Sequence, residues 1–196
     1  MASLHLIPDD VRRLYEVREW HNACAVLKAA HPGEWDDLIA VLRNFRLLRS
    51  EILTPGGRKS GIADRLDKPF YARGWEEKKF ETSILVDGVE HVSPTHKVDC
   101  FKDGVGIEVE WNTKDPFYDR DLNNFRLLFE LRTLEVGVVI TRCDELQGLF
   151  DELGKGSSYG NSTTHMSKLL PRLEGGSGGG CPIVAFGIGL PLYVED

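Results

Sequence analysis

The chain has 196 residues, 41% of them hydrophobic and 28% charged, and a formal net charge of −7. Its length suits one domain with a core that needs no covalent staples. No apolar run approaches the ~20 residues of a membrane span, and the N-terminus reaches Asp9, Asp10 and Arg12 without a signal-peptide core, so a cytoplasmic protein with no membrane association is expected. The acidic balance excludes a protein that coats nucleic acid through bulk positive potential, but not one that grips it locally.

Taken in chain order, the first fifty residues read as two helices. Pro8-Asp9-Asp10 opens a pattern in which Val11, Leu14, Tyr15, Val17, Cys24 and Leu27 recur at helical spacing up to His31-Pro32-Gly33, and a second helix runs from Glu34 to Leu48. Thr54 to Ser60 is a glycine-rich loop, basic at its end. A short helix from Ile62 to Ala72 stops at Gly74, a strand runs from Lys79 to Val86, and Asp87-Gly88 is the turn beyond it. The apolar run Val136 to Thr141 suits the centre of a sheet, with a helix before it (119 to 134) and another after it (144 to 153). A polar, glycine-rich loop at 154 to 164, a helix at 165 to 173 and a last strand at 183 to 188 that closes the sheet complete the reading: a mixed α/β domain spanning 1–196 with a helical N-terminal part.

The segment Val98 to Trp111 carries the chemistry. Asp103-Gly104 between two β-prone runs predicts a two-residue type I′ hairpin turn. Counting outward, Lys102 faces Val105, Phe101 faces Gly106, Cys100 faces Ile107 and Asp99 faces Glu108. Side chains alternate along a strand, so Glu108 and Glu110 share a face with Asp99 while Ile107, Val109 and Trp111 take the other, giving one acidic face and one core face. Opposed side chains lie about 5 Å apart at Cβ, where like charges destabilise a sheet, and a hard divalent cation on the carboxylate oxygens offsets that repulsion. Such a site suits metal-assisted phosphodiester hydrolysis: Asp99 and Glu108 hold one or two Mg²⁺ ions, and Glu110 orients or deprotonates the attacking water. The competing readings are a solvated acidic strand, a structural Ca²⁺ site and a non-catalytic DNA-binding module.

The four cysteines, Cys24, Cys100, Cys143 and Cys181, have no C-x-x-C spacing and read as isolated buried thiols. The six histidines are scattered, and only His96 is close in sequence to the acidic face.

The segment Asp99 to Trp111, the following Asn112-Thr-Lys-Asp-Pro-Phe-Tyr-Asp-Arg-Asp-Leu-Asn-Asn-Phe-Arg126 and the Val136-Gly-Val-Val-Ile140 strand resemble the restriction endonucleases typified by BglII and BstYI. Tyr71-Ala-Arg-Gly-Trp75 and the Ser-Ser-Tyr at 157 to 159 are similar as well, so the likeness runs from about residue 50 to the C-terminus. It implies a restriction-endonuclease-like PD-(D/E)XK fold, a mixed β-sheet core flanked by helices, with Asp99 as the aspartate and Glu108-Val109-Glu110 as the (D/E)XK triplet. Two positions depart from the general pattern. Val98 stands where proline is common, and Glu110 replaces the lysine, where BglII-like enzymes place glutamine and the related BamHI glutamate. A fourth acidic group usually comes from upstream in these nucleases, and Glu51 and Glu81 are the candidates.

The resemblance further implies a Mg²⁺-dependent, homodimeric Type II enzyme that cuts double-stranded DNA at a short palindrome, with a cognate DNA methyltransferase in the same host. A repair or recombination nuclease of the same fold is the alternative. Lys114 resembles a lysine that the family points at DNA. Arg58, Lys59 and Ser60 sit where glycines let a backbone approach phosphates. Ser157, Ser158, Tyr159, Asn161, Ser162, Thr163 and Thr164 offer hydroxyl and amide groups to base edges, and Thr163 or Thr164 would cap the helix that follows. Leu42 and Phe45 belong either to a dimer interface or to the core.

Overall fold

The computed structural model describes residues 3–54 and 60–196. Arg58 and Lys59 therefore lie outside the described residues.

The N-terminal part departs from the two expected helices. Among the described residues, a one-turn 3₁₀ helix at Leu4–Leu6 and the short helix Asp9–Arg12 (α1) precede Tyr15–Trp20, which forms a strand (β1). Tyr15 and Val17 point inward in an alternating run, and His21 and Asn22 then take left-handed backbone angles, φ 53° and 54°, that end the strand. The helical spacing that links Val11, Val17 and Cys24 crosses this break, which is why it misleads. Helices follow at Ala23–Ala30 (α2) and Pro32–Asn44 (α3), the latter with proline in its first turn, where a missing N–H costs nothing. Leu42 and Phe45 are buried in the core.

Beyond α3 come Leu47–Leu48 (β2), Arg49–Leu53 (α4) and Gly61–Tyr71 (α5), whose N-cap Ser60 accepts from the Ala63 N–H at 3.1 Å. Glu76–Val86 (β3) and Val89–Lys102 (β4) form a long antiparallel hairpin, followed by Val105–Glu110 (β5), Phe117–Glu130 (α6), Val136–Arg142 (β6), Leu146–Glu152 (α7), Met166–Glu174 (α8), Ile183–Ile188 (β7) and Tyr193–Val194 (β8). The main sheet has the order β1-β7-β6-β5-β4-β3, with β5, β6 and β7 parallel and the remaining pairs antiparallel. The expected parallel pairing of β6 with β5 is present, whereas β7 is interior and β1, not β7, closes the edge. Every residue of β5, β6 and β7 is buried, as befits strands covered on both faces.

Two cores result. One face packs Val105, Ile107, Val109, Val138, Ile140 and Phe186 against α2, α3, α5 and α7; the other packs Val139, Ile183 and Ala185 against Tyr118, Leu122, Phe125 and Leu128 of α6 and Met166, Leu169 and Leu173 of α8. The close seat of α6 depends on two glycines. A Cβ on Gly137 would stand 2.6 Å from the Phe125 ring, and one on Gly106 would stand 2.7 Å from Leu134 and 3.2 Å from Phe125. The four cysteines are buried free thiols. Among the described residues no helix is long and apolar enough to cross a membrane.

Candidate active site

Asp103 and Gly104 both have positive φ, 43° and 85°, as a type I′ turn requires. The turn sets the expected register: Lys102 pairs Val105, Phe101 pairs Gly106, and Cys100 pairs Ile107. Past that pair the ladder stops. Asp99 turns its carboxylate across the opening, and its Oδ2 accepts the Val109 N–H at 2.9 Å.

Glu108 and Glu110 do share a face, but that face is not open. Helix α6 lies over it, leaving Glu108 1% and Glu110 3% exposed, so the expected division into an acidic face and a core face is corrected: both faces are core, and the acids are buried within one of them. Helix α6 contributes two further groups. Asp121, 1% exposed, accepts from Arg120 Nε at 2.7 Å, and Arg120 Nη2 also reaches Glu110 Oε1 at 3.3 Å. Thr113 donates its hydroxyl to the other Glu110 oxygen, and Asn124, one turn beyond Asp121, donates to the His96 carbonyl at 3.3 Å.

Three carboxylates under one guanidinium, beside Asp99, make a site short of positive charge. Burial raises the Glu108 pKa well above the ordinary carboxylate range, and the charges of Asp121, Asp99 and Glu110 push it further. Glu110 is pushed up to about 9, first by burial and then by a hydrogen bond and charge repulsion from Asp121, against the opposing pull of Thr113 and Arg120. Burial raises Asp121 too, while Glu110 and Arg120 pull it back.

The loop that follows α7 docks beside this cluster. The Thr164 N–H donates to Thr113 O at 2.8 Å, the Asp115 N–H to Ser162 O at 3.1 Å, and Lys114 bridges Thr163 as a two-residue ladder. From below, the buried Arg142 at the end of β6 donates to Tyr159 O at 2.8 Å and Thr163 Oγ1 at 3.0 Å. Lys114, Ser157, Ser158, Asn161 and Ser162 are exposed, and Thr163 is half-buried. Two of the expected base-reading side chains face inward instead. Tyr159 stacks on Phe150, with ring centroids 4.0 Å apart, and Thr164 is fully buried with its hydroxyl on the Glu110 carbonyl. The expected cap is also absent: α8 starts from His165 with no side-chain cap.

Residues 15–188 match the family model described as restriction endonuclease BglII/BglIII. The chain belongs to the BglII/BglIII restriction endonuclease family. A comparison with individual curated sequences finds no match, so membership rests on the family model, whose span takes in every strand of the main sheet. Membership makes this a nuclease fold and gives the acidic cluster its context.

Restriction endonucleases of this kind use Mg²⁺, and the donor set fits such an ion. It consists of carboxylate oxygens, and Glu108 Oε1 and Asp121 Oδ2 are buried without a hydrogen-bond partner. Among the described residues, no group of three or more Asp, Glu, His or Cys side chains stands so as to hold a metal ion. Neither upstream candidate is among the charges that act most strongly on Glu108: Glu81 is exposed on β3, and Glu51 is held by Arg65 at 3.2 Å. Asp67 of α5 is a buried upstream acid instead, with Oδ1 3.8 Å from Cys100 Sγ.

Sequence reading missed Asp121, Arg120, Thr113 and Arg142. A signal for Asp121 exists: it shares the apolar stripe of Tyr118, Leu122 and Phe125, where an acid at helical spacing must meet something buried.

Proposed function

We propose that this restriction endonuclease is a Type II enzyme that hydrolyses phosphodiester bonds of double-stranded DNA at a short palindromic site, using Mg²⁺ bound by Asp99 and Glu108. The observation that supports it best is the Asp99, Glu108 and Glu110 cluster at the carboxyl end of β5, where a parallel strand of an open sheet usually meets its ligand. When bound, Mg²⁺ would stabilise charge on the scissile phosphate and acidify a water.

The protein's own groups supply the rest. The Val109 N–H fixes the direction of the Asp99 carboxylate. Thr113 and Arg120 hold Glu110 from two sides, so that it orients the attacking water and takes up its proton. Lys114, exposed at the mouth, pairs with a phosphate, while Ser157, Ser158 and Asn161 project from a loop that Arg142 and the 113–115 segment hold rigid, as base reading in a major groove needs. A palindrome cut on both strands calls for a two-fold homodimer carrying one cluster and one loop per subunit. A host with this activity needs a methyltransferase to protect its own sites.

Digestion of phage DNA with Mg²⁺, with EDTA and Ca²⁺ as controls, tests the reading. Discrete fragments with mappable ends, formed only with Mg²⁺, are expected. Random degradation would point to a repair nuclease, and intact DNA to a binding module.

A further inference from the structure

The 157–164 loop and the acidic cluster meet at a pair of hydroxyls, those of Thr164 and Thr113. We infer that Thr164 is a positioning residue that couples the two: through Thr113 and the Glu110 carbonyl it ties the seating of the loop on DNA to the placement of the Glu110 carboxylate. The inference rests on the nuclease reading above and names a link inside it.

Thr164 is fully buried, so its side chain offers nothing to a base edge. Its hydroxyl lies 3.2 Å from the Thr113 hydroxyl and 3.2 Å from the Glu110 carbonyl oxygen. Thr113 in turn donates to the Glu110 carboxylate. One residue of the loop thus reaches the backbone of Glu110 directly and its carboxylate through a single hydroxyl. The docking of the loop has other supports. The Thr164 N–H donates to Thr113 O at 2.8 Å, the Asp115 N–H to Ser162 O at 3.1 Å, and Arg142 holds Tyr159 O and Thr163 Oγ1. Removing the Thr164 hydroxyl also leaves no buried partner orphaned, because Thr141 donates to the same Glu110 carbonyl at 2.9 Å and Thr113 keeps its bond to the carboxylate. What the hydroxyl adds is therefore a connection rather than a support. A misplacement of about 1 Å near reacting atoms can cost about a hundredfold in rate, so a loop that a wrong base pair keeps from seating would slacken Glu110 and slow cleavage.

The test uses wild type, Thr164→Val, which keeps the shape without the hydroxyl, and Thr164→Ser, which keeps the hydroxyl. Each is measured for Tm, for DNA affinity in Ca²⁺ and for single-turnover cleavage in Mg²⁺. The duplexes carry either the site mapped by the digestion above or a site one base pair away from it. One buried hydrogen bond is worth up to about tenfold in rate, so Thr164→Val should cut the mapped site about three- to tenfold more slowly. Its preference for that site in cleavage should shrink by a similar factor, while its Tm, its affinity and its preference in binding stay at wild-type values. Thr164→Ser should recover both rate and preference. Wild-type cleavage and preference in Thr164→Val would overturn the inference, and so would a slower rate with unchanged preference. A lowered Tm with weakened binding and no recovery in Thr164→Ser would make Thr164 a structural residue and overturn it as well. Wild type that makes no discrete cuts would overturn the nuclease reading together with this inference.

Discussion

Asp99 accepts the backbone N–H of Val109 at 2.9 Å, a side chain doing the work of a ladder bond at the point where β4 and β5 stop pairing. The bond ties the aspartate to the residue between Glu108 and Glu110. It also separates two functions of Asp99. Asp99→Asn keeps an acceptor for Val109 but lowers the charge; it is expected to fold normally, with Tm close to wild type, and to cleave DNA at least about a hundredfold more slowly, since even outer-shell changes cost up to that much. Normal cleavage by this variant would remove Asp99 from the metal site.

The seat of α6 should be sensitive to a single methyl group. Gly137→Ala places a Cβ 2.6 Å from the Phe125 ring, and overpacking of this kind costs about 1–3 kcal/mol. Urea denaturation should show that loss, and Phe125→Leu in the same chain should recover part of it. Cleavage should fall further than stability alone accounts for, because lifting α6 also lifts Arg120 and Asp121 away from Glu110.

Stability of the metal-free protein should fall as pH rises. A carboxyl whose pKa is higher in the folded state holds its proton more tightly there, so its stabilising effect is complete below the unfolded value near 4.5 and is lost on the way up to about 9 for Glu110. Glu108 acts in the same direction. In EDTA the Tm should therefore decline between about pH 5 and 9. Glu110→Gln, which needs no proton, should flatten the decline and raise the Tm at the alkaline end; an unchanged slope would show that Glu110 titrates normally.

Lys114 and the neighbouring loop should separate affinity from specificity. Lys114→Ala is expected to weaken binding uniformly across DNA sequences and to reduce the salt slope of log K by about 1, measured in Ca²⁺ to prevent cleavage. Asn161→Ala is expected to relax discrimination among related sites instead. Tyr159→Phe, altering a buried ring in the Trp111 and Phe150 cluster, should change neither.

The hairpin was legible because its turn chemistry is local: Asp103-Gly104 fixes the pairing of Cys100 with Ile107. Strand β6 was legible because an unbroken apolar run has few other places to go. The covering of the acidic face was not, since it depends on Phe125 meeting two glycines from different strands. The same holds for Tyr159 and Thr164, polar residues in a polar loop whose burial is set by Arg142 and Thr113 from elsewhere in the chain. Strand β1 was hidden because apolar residues before and after it fall at helical spacing across the His21-Asn22 turn.

The most direct test compares wild type with Glu108→Gln on supercoiled plasmid in Mg²⁺, with DNA affinity measured in parallel in Ca²⁺. Glu108→Gln keeps the shape of a side chain that is 1% exposed and removes its charge. Wild type should give discrete Mg²⁺-dependent cuts and Glu108→Gln none, with DNA affinity largely retained. Cleavage by Glu108→Gln at the wild-type rate would remove Glu108 from the metal site.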